Sequence, residues 1–157
     1  GGLRVPCIVK WPGPGNKGMV SEEPIISTDF YPSILEMAGL PLAPGQHQDG
    51  ISIAPLLKGK QSLDRDAIYW HFPHYSNHGM QPPAGAIRSG DFKLIEYFEN
   101  YNVQLFNLRK DIGEQQNLAE SMPEKVAELR AKLRAWRKDV DAQMNQLNPD
   151  YDPLSGI

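Results

Sequence analysis

The stretch Ala86–Leu108, AIRSGDFKLIEYFENYNVQLFNL, constrains the fold more than any other part of the chain. It holds three short apolar-rich runs separated by turn-forming residues. In the middle run Phe92, Leu94, Glu96 and Phe98 fall on one side, and Lys93, Ile95 and Tyr97 on the other. Period-two patterning bounded by Gly, Asn and Asp predicts an antiparallel hairpin or meander. Ser89-Gly90-Asp91 supplies a glycine where a tight turn calls for positive φ, and Glu99-Asn100 breaks the run before Val103–Leu108. Ala67–Phe72 (AIYWHF) reads as an additional strand. A small sheet with one apolar face needs a cover.

The cover is predicted to be Pro123–Met144. Val126, Leu129, Leu133, Trp136, Val140 and Met144 recur at steps of three and four and form one stripe. Ser121 and Glu124 match a capping box, which places the helix start at residue 121, and Pro123 is tolerated in a first turn. Glu128 and Lys132 have the spacing of an i,i+4 ion pair, worth a few tenths of a kcal/mol. Burying one leucine is worth about 1.5–3 kcal/mol, so the stripe decides where the helix sits. The outer face is too charged for a membrane helix, and the stripe too short for a coiled coil.

The 157 residues suffice for one ordinary domain or two small ones. A net charge of −3 with both signs interspersed gives no basic footprint for nucleic acid and no membrane patch. The chain starts Gly-Gly-Leu-Arg without a methionine or a signal peptide, so further sequence is expected upstream of Gly1. Cys7–Trp11 (CIVKW) reads as a short strand stopped by Pro12-Gly13. Ser27-Thr28-Asp29 can cap a helix over Phe30–Ala38, with Gly39 as terminator. Ser52 is read as the cap of a brief helical turn through Leu57, ended by Gly59. The polar segment Gln61–Asp66 is the expected subdomain boundary.

Few residues suggest chemistry. Cys7 is the single thiol; in an apolar strand without a neighbouring histidine it reads as buried and inert. His71, His74 and His78 cluster in HFPHYSNHG, on a loop that joins two predicted strands. Three imidazoles so close can bind a metal, hold an anionic substrate or stand solvated; Pro73 and the absence of a completing Cys or carboxylate weigh against the metal. Asp111, Glu114 and Asn117 in DIGEQQN lack the alternating oxygen ligands of a calcium loop and are expected to serve as turn and cap residues. No G-x-S-x-G, P-loop, H-E-x-x-H or G-x-G-x-x-G motif is present.

Several segments, in order and spacing, resemble the C-terminal portion of a sulfatase of the arylsulfatase type. They are GGLRVPCIVKWPG, STDFYPSILEMAGL, DGISIAPLLKG, AIRSGDFKLIEYF and LFNLRKDIGEQQNLA with its trailing helix. WHFPHY and the tail NPDYDP resemble bacterial members. The resemblance implies an α+β fold. Residues 61–157 would form a C-terminal four-stranded antiparallel sheet packed by one long helix (residues 121–144). Residues 1–60 would be the terminal strand and helix segment of the large alkaline-phosphatase-like α/β domain.

The resemblance further implies a sulfuric ester hydrolase, with a carbohydrate sulfate as its substrate by family habit. Its nucleophile, a formylglycine made within a C/S-x-P-S-R motif, and its calcium ligands are implied for the parent, not for this chain. Cys7 is followed by Ile-Val-Lys and does not match that motif. No catalytic or metal-binding residue is therefore expected here, and the isolated chain is expected to be inactive. Substrate contact is assigned to His71, His74 and His78. The implied partners are the N-terminal sulfatase domain of the same parent chain and a sulfated small molecule or glycan, with no nucleic acid and no membrane. The implied location is periplasmic or secreted. Two alternatives stand beside this reading: a phosphodiester or phosphonate hydrolase of the same superfamily, and a non-catalytic glycan-binding module.

Overall fold

The computed structural model of the chain describes residues 3–13, 15–76, 81–146 and 148–150. It divides into two compact units, Gly1–Arg65 and Asp66–Ile157.

In the first unit a single 3-10 turn, Ser27–Asp29, runs into α1 (Phe30–Met37). Pro32 sits in the first helical turn, where its missing N–H goes unneeded. Gly39, at φ +71°, ends the helix: its amide bonds to Glu36 O, and that of Leu40 to Leu35 O. The short α2 (Ala54–Leu57) follows a buried Ser52 whose Oγ accepts the Ala54 amide at 3.2 Å. Ile53, Leu56 and Leu63 form a small core, with Ile25, Ile51 and Leu57 against it.

Asp29, fully buried, holds this unit together. Its carboxylate accepts the amides of Ile26 (2.8 Å) and Ile51 (2.9 Å) and takes both terminal nitrogens of Arg65 at 2.8 Å. A buried carboxylate is tolerable when every lone pair is used in this way. Ser33 Oγ extends the arrangement, donating to Asp29 O and accepting the Ile53 amide at 2.9 Å.

The strand expected over Cys7–Trp11 does not form. Residues 4–11 carry no ladder, Cys7 is exposed, and Ile8 is 96% exposed. An apolar run becomes a strand only beside a partner that takes its N–H and C=O groups, and none of the described residues pairs with it.

In the second unit β1 (Ile68–Phe72), β2 (Ala84–Ser89), β3 (Phe92–Tyr97) and β4 (Val103–Asn107) form an antiparallel meander in sequence order. Ser89 pairs with Phe92, leaving Gly90-Asp91 as a two-residue turn with Gly90 at φ +56°. The register follows the alternation: Ile87, Leu94 and Leu105 lie side by side on one face. Leu129 and Leu133 of α3 (Pro123–Asp139) complete a buried cluster there with Ala67; Tyr69, Val126 and Trp136 pack around it.

The helix begins at Pro123 as expected and departs from expectation in its capping, its C-terminal end and one ion pair. It ends at Asp139, and Asp141 adopts φ +49° two residues later. Val140 and Met144 are consequently exposed and do not extend the stripe, because the four-stranded sheet offers apolar surface only as far as Trp136. Met122, without a side-chain bond, occupies the N-cap, so the Ser121–Glu124 capping box is not made. Ser121 lies one residue too early and donates instead to Leu118 O at 3.2 Å. Glu128 pairs with Lys125, one turn back, while Lys132 reaches Asp66 at 3.2 Å.

Candidate functional site

The segment between β1 and β2 carries the residues singled out for substrate contact. It leaves the sheet at Phe72, forms an isolated bridge between Ser76 and Gln81, and re-enters at Ala84. The Tyr75 hydroxyl donates to Glu99, which ties the segment to the β3–β4 turn.

His71 stands opposite Gly85 in the β1–β2 register. A Cβ on Gly85 would lie 3.2 Å from the Phe98 ring, so the glycine makes room for Phe98 to lie across the sheet end. The His71 ring packs against Phe98 at 5.3 Å between centroids. His71 Nε2 is 2.7 Å from Gln143 O, so this nitrogen carries the hydrogen and donates; Nδ1 is buried without a partner among the described residues. His71 thus fastens the chain after α3 to β1. His74 is exposed, with its ring edge-on to Phe72 at 5.7 Å. His78, with Asn77, lies outside the described residues. The two described histidines of this cluster make separate contacts, one structural and one toward solvent.

Next to Phe98 the sheet carries an ionic cluster that the alternation signalled only by placing an acid on the apolar face. Glu96, its side chain 1% exposed, receives Arg137 on Oε2 and Arg130 on Oε1 (2.7 Å), with Arg134 at 3.5 Å. The three arginines recur at helical spacing on α3, which was the available sequence signal. Burial pushes the Glu96 carboxyl up, but hydrogen bonds from Arg137 and Arg130 outweigh burial and hold it below the ordinary glutamate value. Arg137 also lies over the Phe98 ring, 5.0 Å from its centroid. Through Arg137 the cluster thus reaches Phe98, the ring on which His71 packs.

The segment 111–117 has the turn and cap roles expected of it. Asp111 Oδ2 accepts the Gln116 amide (2.8 Å), and this bond with that from Gln115 holds its carboxyl below the usual range. Asn117 Oδ1 accepts the amides of Leu105 (2.9 Å) and Ala119 (3.0 Å), and Leu118 N donates to Leu105 O, closing the open edge of β4. Glu114 holds Lys93 at 2.7 Å on the face away from α3.

The family model for N-sulphoglucosamine sulphohydrolase, C-terminal, matches residues 1–142. The chain belongs to this family. It is 35% identical over 150 residues to a sulfatase of Formosa agariphila, covering 87% of this chain and 27% of that protein. It is 32% identical over 140 residues to arylsulfatase K of Danio rerio, covering 86% of this chain and 26% of the relative. Among solved structures a 2-O GAG sulfatase superimposes with a TM-score of 0.64 at 28% identity, over 80% of this chain and 27% of that one. The α+β architecture and the sulfatase family expected from the sequence are both borne out. The chain spans about a quarter of the length of the curated relatives it matches.

The described residues do not fit the calcium and formylglycine that the sulfatase family implies. Among the described residues no group of three or more His, Cys, Asp or Glu side chains could hold a metal ion. Cys7 is exposed and followed by Ile-Val-Lys. Among the described residues no helix is long and apolar enough to cross a membrane.

Proposed function

We propose that this chain is the C-terminal part of a sulfatase that hydrolyses sulfate esters of carbohydrates, in which it supports the large domain and contributes to the rim of the substrate pocket. The observation that carries this reading is the family match over residues 1–142, joined to the likeness to a 2-O GAG sulfatase. In this reading the nucleophile, metal ligands and sulfate pocket belong to an upstream domain, and residues 61–157 form the subdomain docked on it. The parent works in the periplasm or outside the cell.

Within the subdomain the β1–β2 segment is the part offered to substrate, through at least one of His71, His74 and His78. Support comes from the exposed imidazole of His74, held edge-on by Phe72. Neutral, it can hydrogen-bond sugar hydroxyls; protonated, it can pair with a second sulfate. His71, whose Nε2 is committed to Gln143, acts through the shape of the segment.

The test is kinetic and uses the full-length protein. Replacing a contacting histidine by alanine raises KM for a sulfated sugar and leaves kcat largely intact, as when binding is lost equally from ground and transition states. Unchanged kinetics for all three single variants would refute the rim assignment. A fall in kcat of several hundredfold at constant KM would make the residue catalytic and refute it in another way. The chain by itself is expected to turn over no aryl sulfate; turnover by a preparation free of contaminating enzyme would overturn the division of labour.

A further inference from the structure

Beside the β3–β4 turn lies an open depression of about 670 Å³ that none of these roles uses. Its wall includes Tyr97, Tyr101, Gln104, Asn117 and Glu120. Tyr101 is 60% exposed and sits at φ +55°, a left-handed conformation that an aromatic residue adopts at a cost. The turn holds it there from both sides: Asn100 Oδ1 accepts the Asn102 amide at 3.0 Å, and Asn102 O accepts the Tyr97 amide at 3.0 Å.

Two of the amides along the depression have a fixed polarity. Asn100 and Asn117 accept backbone N–H groups, which only their oxygens can do, so their NH2 groups are left over. Gln104 meets the Tyr97 hydroxyl at 3.0 Å through its Oε1, although a hydroxyl can pair with either end of the amide. Among the described residues these NH2 groups donate to no protein atom. The depression therefore offers several N–H donors, one exposed ring and one carboxylate, Glu120, with neither lysine nor arginine on its wall. Donors suit hydroxyl and ring oxygens, Glu120 suits a hydroxyl proton, and the ring suits the apolar face of a pyranose. A lone carboxylate without a cation repels sulfate.

We propose that this depression is a binding site for an uncharged sugar residue, stacked on Tyr101 and oriented by Asn100, Gln104, Asn117 and Glu120. That this sugar belongs to the unsulfated part of the substrate chain rests on the reading under Proposed function; the sugar site itself does not.

The experiment titrates the full-length protein with two neutral hexasaccharides, one of galactose units and one of N-acetylglucosamine units, and reads binding by ligand-observed saturation-transfer NMR and calorimetry. The wild type is expected to bind at least one of them. Tyr101→Phe retains that binding; Tyr101→Asn, which keeps a residue at ease with positive φ, weakens it about fivefold or more. Glu120→Ala, at an exposed position, weakens it as well and stands in if the Tyr101 variants fold poorly. Binding of neither hexasaccharide by the wild type, or equal binding by the wild type, Tyr101→Asn and Glu120→Ala, would overturn the proposal. Turnover of a panel of sulfated monosaccharides is measured in parallel. Its absence in the wild type refutes the sulfatase reading alone, and its persistence in Tyr101→Asn beside weakened sugar binding supports the separate site.

Discussion

Replacing Glu96 by glutamine keeps the shape of the side chain and removes its charge, at a site where three arginines converge on one buried carboxylate. Their contributions differ. Arg134 stands at 3.5 Å with its side chain 60% exposed, so screening leaves it about 0–0.5 kcal/mol. Arg137, 11% exposed, makes a charge-assisted bond of about 1.5–3 kcal/mol to Oε2, and Arg130, 27% exposed, adds a weaker one on Oε1. Glutamine has one oxygen to share. If that oxygen stays with Arg137, its NH2 faces Arg130; if it turns to Arg130, the buried Arg137 meets a donor. Either rotamer sets donor against donor, and the expected loss is about 3 kcal/mol, at the low end for breaking a buried pair because Arg130 keeps some water.

Urea denaturation of the full-length protein at neutral pH, followed by the fluorescence of Trp136 and its neighbours, reads this loss as a shift of midpoint at constant slope. Arg137→Ala is expected to cost about 2–3 kcal/mol and Arg134→Ala less than about 0.5 kcal/mol. The pH dependence has a definite sign. The folded carboxyl lies below its ordinary value, so its contribution is complete above that value and is lost as pH falls through the lowered one. The gap between wild type and Glu96→Gln should therefore be flat near neutrality and close on the acid side. A cost below about 1 kcal/mol, or an Arg134→Ala variant as damaging as Arg137→Ala, would refute the weighting by burial.

Asp29→Ala should destabilise the first unit by about 3–5 kcal/mol, since it strands the Arg65 guanidinium and two amides; hydrogen exchange at Ile26 and Ile51 would report it locally. Gly50→Ala is expected to cost at least about 2 kcal/mol, because a Cβ there would stand 2.2 Å from Thr28 O; thermal unfolding within error of wild type would contradict the close approach. Trp136→Ala should cost about 2–3 kcal/mol, less than for full burial, since the indole is half-buried and stacked on Tyr69 at 4.8 Å with planes 5° apart; a midpoint shift under about 1 kcal/mol would remove it from the sheet-facing stripe.

The local geometry of the second unit was legible in its sequence. Side chains alternate across a strand and recur every three to four residues on a helix, so the order of Phe92–Phe98 and of Val126–Trp136 fixed which atoms face inward before any partner was known. Gly90 marked a turn that needs positive φ, and Gly39 a helix end, for the same local reason. Alternation even set Glu96 on the apolar face beside Leu94.

What neutralises Glu96 was decided only when α3 crossed β3 and brought Arg130 and Arg137 to a residue more than thirty positions earlier. The same holds for Asp29 with Arg65, and for His71, whose Nε2 meets a carbonyl 72 residues away and so leaves the cluster in which it stands in sequence. Cys7–Trp11 shows the converse: its pattern suits a strand, but no ladder forms among the described residues. Periodicity is written in the bond geometry of each residue, whereas hydrogen-bond and charge partners depend on which distant segments the packed core brings within about 3 Å.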